Sequence, residues 1–183
     1  MTVREGDLIR VDLSDVWETI CDIAAKRRGL NKTLSHRLEN DGHFDILGCA
    51  GEYALQRWLG VEAFARVTLP LLDKGVDFFW NGKSLGMRAS YFWPNWRFMH
   101  LQSPAYRTWL PDVLVCGLLD DRAETRVVWL AGWSTGAQIL AAPIRRNVYN
   151  PCHEISITRL QPMRLLSEYL ADPSIFMLGP VLV

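Results

Sequence analysis

Apolar positions change their spacing along this chain, and the changes mark its elements. Val16, Ile20, Ile23 and Ala24 recur at helical spacing within "SDVWETICDIAAKRRG", which predicts a first helix over residues 14–29. Ser14 can cap it, Asp15 and Glu18 suit its first turn, and Gly29 can end it. Lys26, Arg27 and Arg28 suit the C-terminal end of its dipole, and read mainly as a solvated helix end. The polar stretch "LSHRLENDGH" then leads to "FDILGCAGEYALQRWLG". There Leu47, Ala50, Ala54, Leu55 and Trp58 form the apolar stripe of a second helix that ends near Gly60.

Strand patterns follow. Residues 67–91 contain strands, and "DVLVCGLLDDRAETRVVWLAGW" reads as a hairpin with Asp120 to Thr125 as its loop. "STGAQILAA" is a short helix that Ser134 can cap. "HEISITRL" alternates like a strand, and "QPMRLLSEYLA" closes as a helix with Pro162 near its start. Helices before and after a strand-rich middle, without repeats or a low-complexity linker, predict one mixed α/β or α+β domain over residues 1–183, of which α/β is the class expected.

The sharpest local signal is Asn81-Gly82, because both turn residues tolerate positive φ. A two-residue turn there pairs Trp80 with Lys83, Phe78 with Leu85 and Asp77 with Gly86. Alternation then places Val76, Phe78, Trp80, Leu85, Met87 and Ala89 on a core face. Asp77, Ser84, Gly86, Arg88 and Ser90 take the other face, with Phe79 its one large apolar member. Asp77 and Arg88 become diagonal neighbours within side-chain reach. In the preceding helix Asp45, Gly48, Glu52 and Gln56 share one face. Gly48 costs that helix about 1 kcal/mol relative to alanine, which a close backbone approach beside Glu52 would explain. A solvated face with an incidental glycine is the plainer alternative.

Composition narrows the field only slightly. Apolar residues make up 49% of the 183 positions, so a packed core is expected. The 20 basic and 20 acidic residues cancel, which argues against a cationic nucleic-acid coat but permits a local basic groove. Cys21, Cys49, Cys116 and Cys152 are scattered without a C-x-x-C pair, so they read as buried free thiols rather than zinc ligands or a disulfide framework. The charged start "MTVREGDLIRVDL" has no signal-peptide core, and no window approaches a membrane span. A soluble cytoplasmic protein with no membrane partner is expected.

"GCAGEYALQRWLG", then "DKGVDFF", a turn and "LGMRAS", resemble the core of the PD-(D/E)XK nuclease superfamily. The later "DVLVCG" and "VVWLAGW", followed by a capped helix, extend the likeness over roughly residues 45–166, toward phage-borne and bacterial members. The resemblance implies a restriction-endonuclease-like core, a mixed central sheet flanked by helices. It implies Mg²⁺ or Mn²⁺ as cofactor, DNA as the foremost partner and a bacterial host cell if the gene is phage-borne. Glu52 matches the helix glutamate and Asp77 the strand aspartate, so these two would bind the metal. Gly86 stands where the family has a second acid, and Arg88 where it has the lysine. A catalytic set of Glu52, Asp77 and Arg88 follows, with one ligand missing and no neutral base. Arginine stays charged, so Arg88 suits a phosphate clamp better than a base. Two functions therefore stay open: a metal-dependent nuclease with a degenerate site, and an inactive nuclease-fold module that binds DNA or a protein. In the second, Arg88 can also simply pair with Asp77.

"YFWPNWRFMHLQSPAYRTWLP" interleaves aromatics with Arg97, His100 and Arg107. Aromatics stack on bases and arginines hold phosphates, so Arg97 and Arg107 join Arg88 as candidate nucleic-acid contacts. Such residues more often cap a core and rim a pocket, and the same segment would equally suit a protein partner or a homo-oligomer contact. His36, His43, His100 and His153 show no metal spacing. Arg145, Arg146 and Arg159 are weaker phosphate candidates.

Overall fold

The computed structural model describes residues 7–34, 42–61, 76–91, 98–102, 110–120, 125–145 and 152–171. In chain order the elements are β1 (Ile9–Asp12), α1 (Trp17–Leu34), α2 (Gly42–Leu59), β2 (Phe78–Trp80), β3 (Lys83–Tyr91) and β4 (Phe98–Gln102). There follow β5 (Val113–Asp120), β6 (Val127–Thr135), α3 (Gly136–Leu140), β7 (Ile144–Arg145), β8 (Cys152–Ser156) and α4 (Leu166–Ala171).

The chain is mixed α/β. A five-stranded sheet has the order β1-β6-β5-β3-β2, and a smaller sheet the order β4-β8-β7. In the larger sheet β3 and β5 run parallel, while its other neighbours are antiparallel. β5 carries the strongest apolar run, VLVCGLLD, and is buried along its whole length, as suits a central strand covered on both faces. Its odd-numbered side chains Val113, Val115 and Leu119 join Leu85 and Met87 beneath α1 and α2. Its even-numbered Leu114, Cys116 and Leu118 pack with Met99, Ile139, Ile155 and Leu160 on the opposite side. The protein is thus layered: two helices, the five-stranded sheet, then the small sheet with α3.

Several boundaries differ from expectation, each for a local reason. α1 runs through Gly29 to Leu34. Ser14 does not cap it. Residues Ser14–Val16 form a 3-10 turn, and the Asp12 carboxylate accepts the Ser14 N–H at 3.0 Å. Thr135 caps α3 in place of Ser134, in a reciprocal box with Gln138. The predicted strand 153–160 stops at Ser156, where a 3-10 turn begins. Three strands had no forecast: β1, β4 and the two-residue β7. β1 pairs with β6 through Ile9–Leu130 and Val11–Val128, and the alternation of Leu8 to Leu13 was its signal. β4 lies within the aromatic segment.

Gly48 does not mediate a close approach: a Cβ there meets nothing within 4 Å. The tight crossing is at Gly51, where a Cβ would lie 2.9 Å from Ala89 Cβ and 3.1 Å from Met87 Cγ. α2 therefore lies against β3 one turn nearer its C-terminus than the sequence suggested. The two glycines should respond with opposite sign. Gly48→Ala should stabilise by roughly 0.5–1 kcal/mol, because it removes only the glycine's helix penalty. Gly51→Ala should destabilise by about 1–3 kcal/mol through overpacking. Urea unfolding of both variants reads the difference.

Asp12 gives the start of the fold an acid-sensitive cap. Hydrogen bonds from the Ser14 hydroxyl and N–H, helped by Arg10, lower its pKa to about 2. A depressed folded-state pKa means the contribution is present above the unfolded value and is lost as pH falls through the folded one. Asp12→Asn should therefore lower the urea midpoint at about pH 5 and have a shrinking effect toward about pH 2. An equal effect at both ends would remove the cap from the account.

Candidate functional site

The hairpin has the register that its turn residues predict. Trp80 pairs with Lys83, Phe79 with Ser84 and Phe78 with Leu85. Asn81 and Gly82 take φ of 47° and 74°, the positive values of a type I′ turn. Leu85 and Met87 are buried under the helices, with Phe78, Trp80 and Ala89 packed beside them. Phe79 stands 67% exposed on the other face. Ser84 and Gly86 are buried on that face, where Asp112 Oδ2 accepts both the Ser84 N–H and hydroxyl at 2.8 Å.

Asp77 lies just before β2 and departs from the regular ladder. Its N–H donates to Leu85 O at 2.8 Å. Its side-chain Oδ2 accepts the N–H of Met87, so a carboxylate completes the ladder where a strand carbonyl would otherwise sit. Arg88 follows on β3, opposite Cys116 of β5. Alternation directs it to the face away from α2, but its Nη1 turns to the strand edge and donates to Met87 O at 2.7 Å. Asp77 and Arg88 thus engage the N–H and the carbonyl of the same residue.

Glu52 is on α2, and its carboxylate is held by α1. Arg27 Nη1 and Nη2 reach its two oxygens at 2.6 and 2.7 Å, in fork-to-fork geometry. Both side chains are only 13% exposed. Burial works against the Arg27 charge, but the hydrogen bonds and charge of Glu52, with Cys49 and Asp77 adding to them, leave its pKa raised. Burial also pushes the Cys49 thiol up to about 12. Arg27 opposes that rise, while Glu52, Asp45 and Asp77 reinforce it. Asp45, Glu52 and Asp77 therefore all act on the surroundings of Cys49, and Arg27, bonded to Glu52 and influenced by Asp77, is the cation that opposes them.

No family model, curated protein or solved structure matches the chain. The site rests on its own geometry.

Glu52 and Asp77 come into electrostatic reach of a common centre, whereas Arg88 lies at the strand edge beside Asp77. Arg97 and Arg107 fall outside the described residues, as do Arg146 and His36. Arg27 was the residue that sequence reasoning misplaced. A basic run at a helix C-terminus looks solvated, yet Arg27 falls four residues after Ile23 and three after Ala24, close to the buried stripe. Lys26 alone of the three is exposed. The cysteines are free as expected, with Cys49, Cys116 and Cys152 buried. A protonated Cys49 is no nucleophile at neutral pH.

The arrangement bears directly on a metal. Among the described residues no group of three or more His, Cys, Asp or Glu is placed to hold one. Both Glu52 oxygens are on Arg27, Asp77 Oδ2 is on Met87 N–H, and Gly86 has no side chain. As arranged, these residues do not fit a divalent ion.

The Arg27–Glu52 pair should be strongly coupled. Arg27→Met and Glu52→Gln should each destabilise by about 2–4 kcal/mol, because each leaves a desolvated charge. The double variant should lose less than the sum, with a coupling of roughly 1–3 kcal/mol. Additive losses in urea unfolding would mean that the two side chains do not depend on each other.

Proposed function

We propose that this chain is a nuclease-fold protein that engages nucleic acid, DNA foremost, by phosphate contact at the hairpin edge and cleaves weakly or not at all. The observation that carries this reading is the convergence of Asp77 and Arg88 on Met87. It follows the element order of a PD-(D/E)XK core, helix glutamate then hairpin aspartate, with an arginine in the lysine position. The restriction-endonuclease-like core belongs to this proposal.

The chemistry separates binding from hydrolysis. Metal-assisted phosphodiester cleavage needs carboxylate oxygens to hold Mg²⁺ or Mn²⁺ and a group that positions or deprotonates water. Gly86 supplies no carboxylate, and Arg88 has no neutral form at ordinary pH. A guanidinium keeps five N–H donors in a planar fork that matches phosphate oxygens. Phosphate affinity therefore survives these two replacements better than catalysis does. A protein partner is the second reading, and the exposed Phe79 at the hairpin favours it.

Arg88→Ala should weaken DNA binding at least tenfold at low salt and flatten its salt dependence. Fluorescence anisotropy with single- and double-stranded DNA and RNA measures this. Purified protein with Mg²⁺ or Mn²⁺ should show little or no cleavage over EDTA controls. Unchanged binding in Arg88→Ala would sink the phosphate reading and leave the protein-interaction reading. Robust cleavage abolished by Asp77→Ala would instead restore a working nuclease.

A further inference from the structure

We propose that Arg27 is the resident cation of this site: its guanidinium, seated on both oxygens of Glu52, occupies the carboxylate that a divalent ion would need and keeps one out. The nuclease likeness assigns no role to α1. Yet α1 delivers the guanidinium to the helix glutamate at 2.6 and 2.7 Å. Few placements neutralise a buried carboxylate so completely, because both oxygens are taken at once. Little water reaches the pair, with each side chain 13% exposed. An entering ion would first have to displace an arginine that cannot neutralise itself by losing a proton.

Charge arithmetic explains why the arginine stays. Asp45, Glu52 and Asp77 all act on Cys49, and Arg27 acts against them. The buried Glu52 carboxylate requires a cation, and the negative charges of Asp45 and Asp77 nearby favour one further. In a metal enzyme that cation is exchangeable. Here it is covalently part of α1, so the charge of Glu52 is balanced without a ligand from solution. The same guanidinium ties α1 to α2, so it serves the fold as well as the charge of Glu52. For its functional meaning this inference rests on the nuclease-fold reading. Its test uses metal alone and no nucleic acid, so either can fail without the other.

The experiment is Mn²⁺ binding to the full chain, read as loss of the free-ion signal in electron paramagnetic resonance. Thermal unfolding with and without Mn²⁺ is the second measurement. Wild type should show no saturable site that Glu52→Gln removes. Arg27→Met should bind Mn²⁺ at least tenfold more tightly than wild type, and Arg27→Met with Glu52→Gln should lose that gain. Mn²⁺ should raise the Tm of Arg27→Met and not that of wild type. Where Arg27→Met does not fold without metal, Arg27→Lys takes its place. It keeps a cation but loses the fork, and should show a smaller gain of the same sign. Saturable Mn²⁺ binding by wild type that Glu52→Gln abolishes would overturn the proposal. So would a folded Arg27→Met or Arg27→Lys protein with no gain over wild type.

Discussion

A carboxylate on α2 and a guanidinium on α1, both nearly out of water, constrain the rest of the helical layer. A desolvated glutamate left alone would be costly, so α1 must lie where Arg27 can reach it. That position sets α1 against α2, which itself lies on β3, with Ile20, Ile23 and Ala24 of α1 buried in the same core as Leu47, Ala50 and Ala54 of α2. At the other end of the pair, Arg57 of α2 bonds Asp15 at 2.7 and 2.9 Å and the Asp12 carbonyl at 2.6 Å. That contact is more exposed, with Asp15 at 66%, and contributes less. Helix α2 is therefore tied to α1 by a strong interior pair, and to the β1 end and the turn before α1 by a weak surface contact.

The sheet makes the second constraint. Gly51 lets α2 approach β3 closely, and Met87 fills the space between Gly51 and Gly117, where a Cβ would meet the Met87 methyl at 2.2 Å. Met87 thus packs on its side-chain face while its peptide groups serve Asp77 and Arg88 at the strand edge. One residue links the core to the candidate site. The site's geometry accordingly depends on how tightly α2 and β3 are packed, and a shift of the helix would move Glu52 relative to the hairpin.

Local rules made much of this legible. The positive-φ demand of Asn81-Gly82 gave the hairpin register, and the period-two alternation around it gave the faces. The stripe of α2 and the β5–β6 hairpin followed from apolar spacing alone. What escaped was whatever depends on partners far along the chain. The parallel pairing of β3 with β5 joins Leu85 to Val113, and no local pattern announces it. Gly48 and Gly51 look alike in a helix, and only the neighbour on β3 distinguishes them. Arg27 was read by the rule for helix ends, which holds when nothing opposite needs a charge. Its partner is 25 residues away, and a salt bridge at that distance in sequence leaves no periodic trace.

The same limit explains why the metal question turns on α1 and not on the residues that raised it. Glu52 and Asp77 have the residue types and the order that a metal site requires, and the resemblance was carried by them. A motif describes ligands and is silent about competing cations. Whether two carboxylates take Mg²⁺ depends on whether their charge is already balanced, and that balance is a property of the folded chain. Here the balancing group lies on an element that no motif includes, and it meets both oxygens of the more buried-helix carboxylate. Gly86 and Arg88 act in the same direction, since one removes a ligand and the other adds positive charge beside Asp77. The three residues together act against a divalent ion: Arg27 occupies both oxygens of Glu52, Gly86 offers no ligand, and Arg88 adds a fixed positive charge beside Asp77.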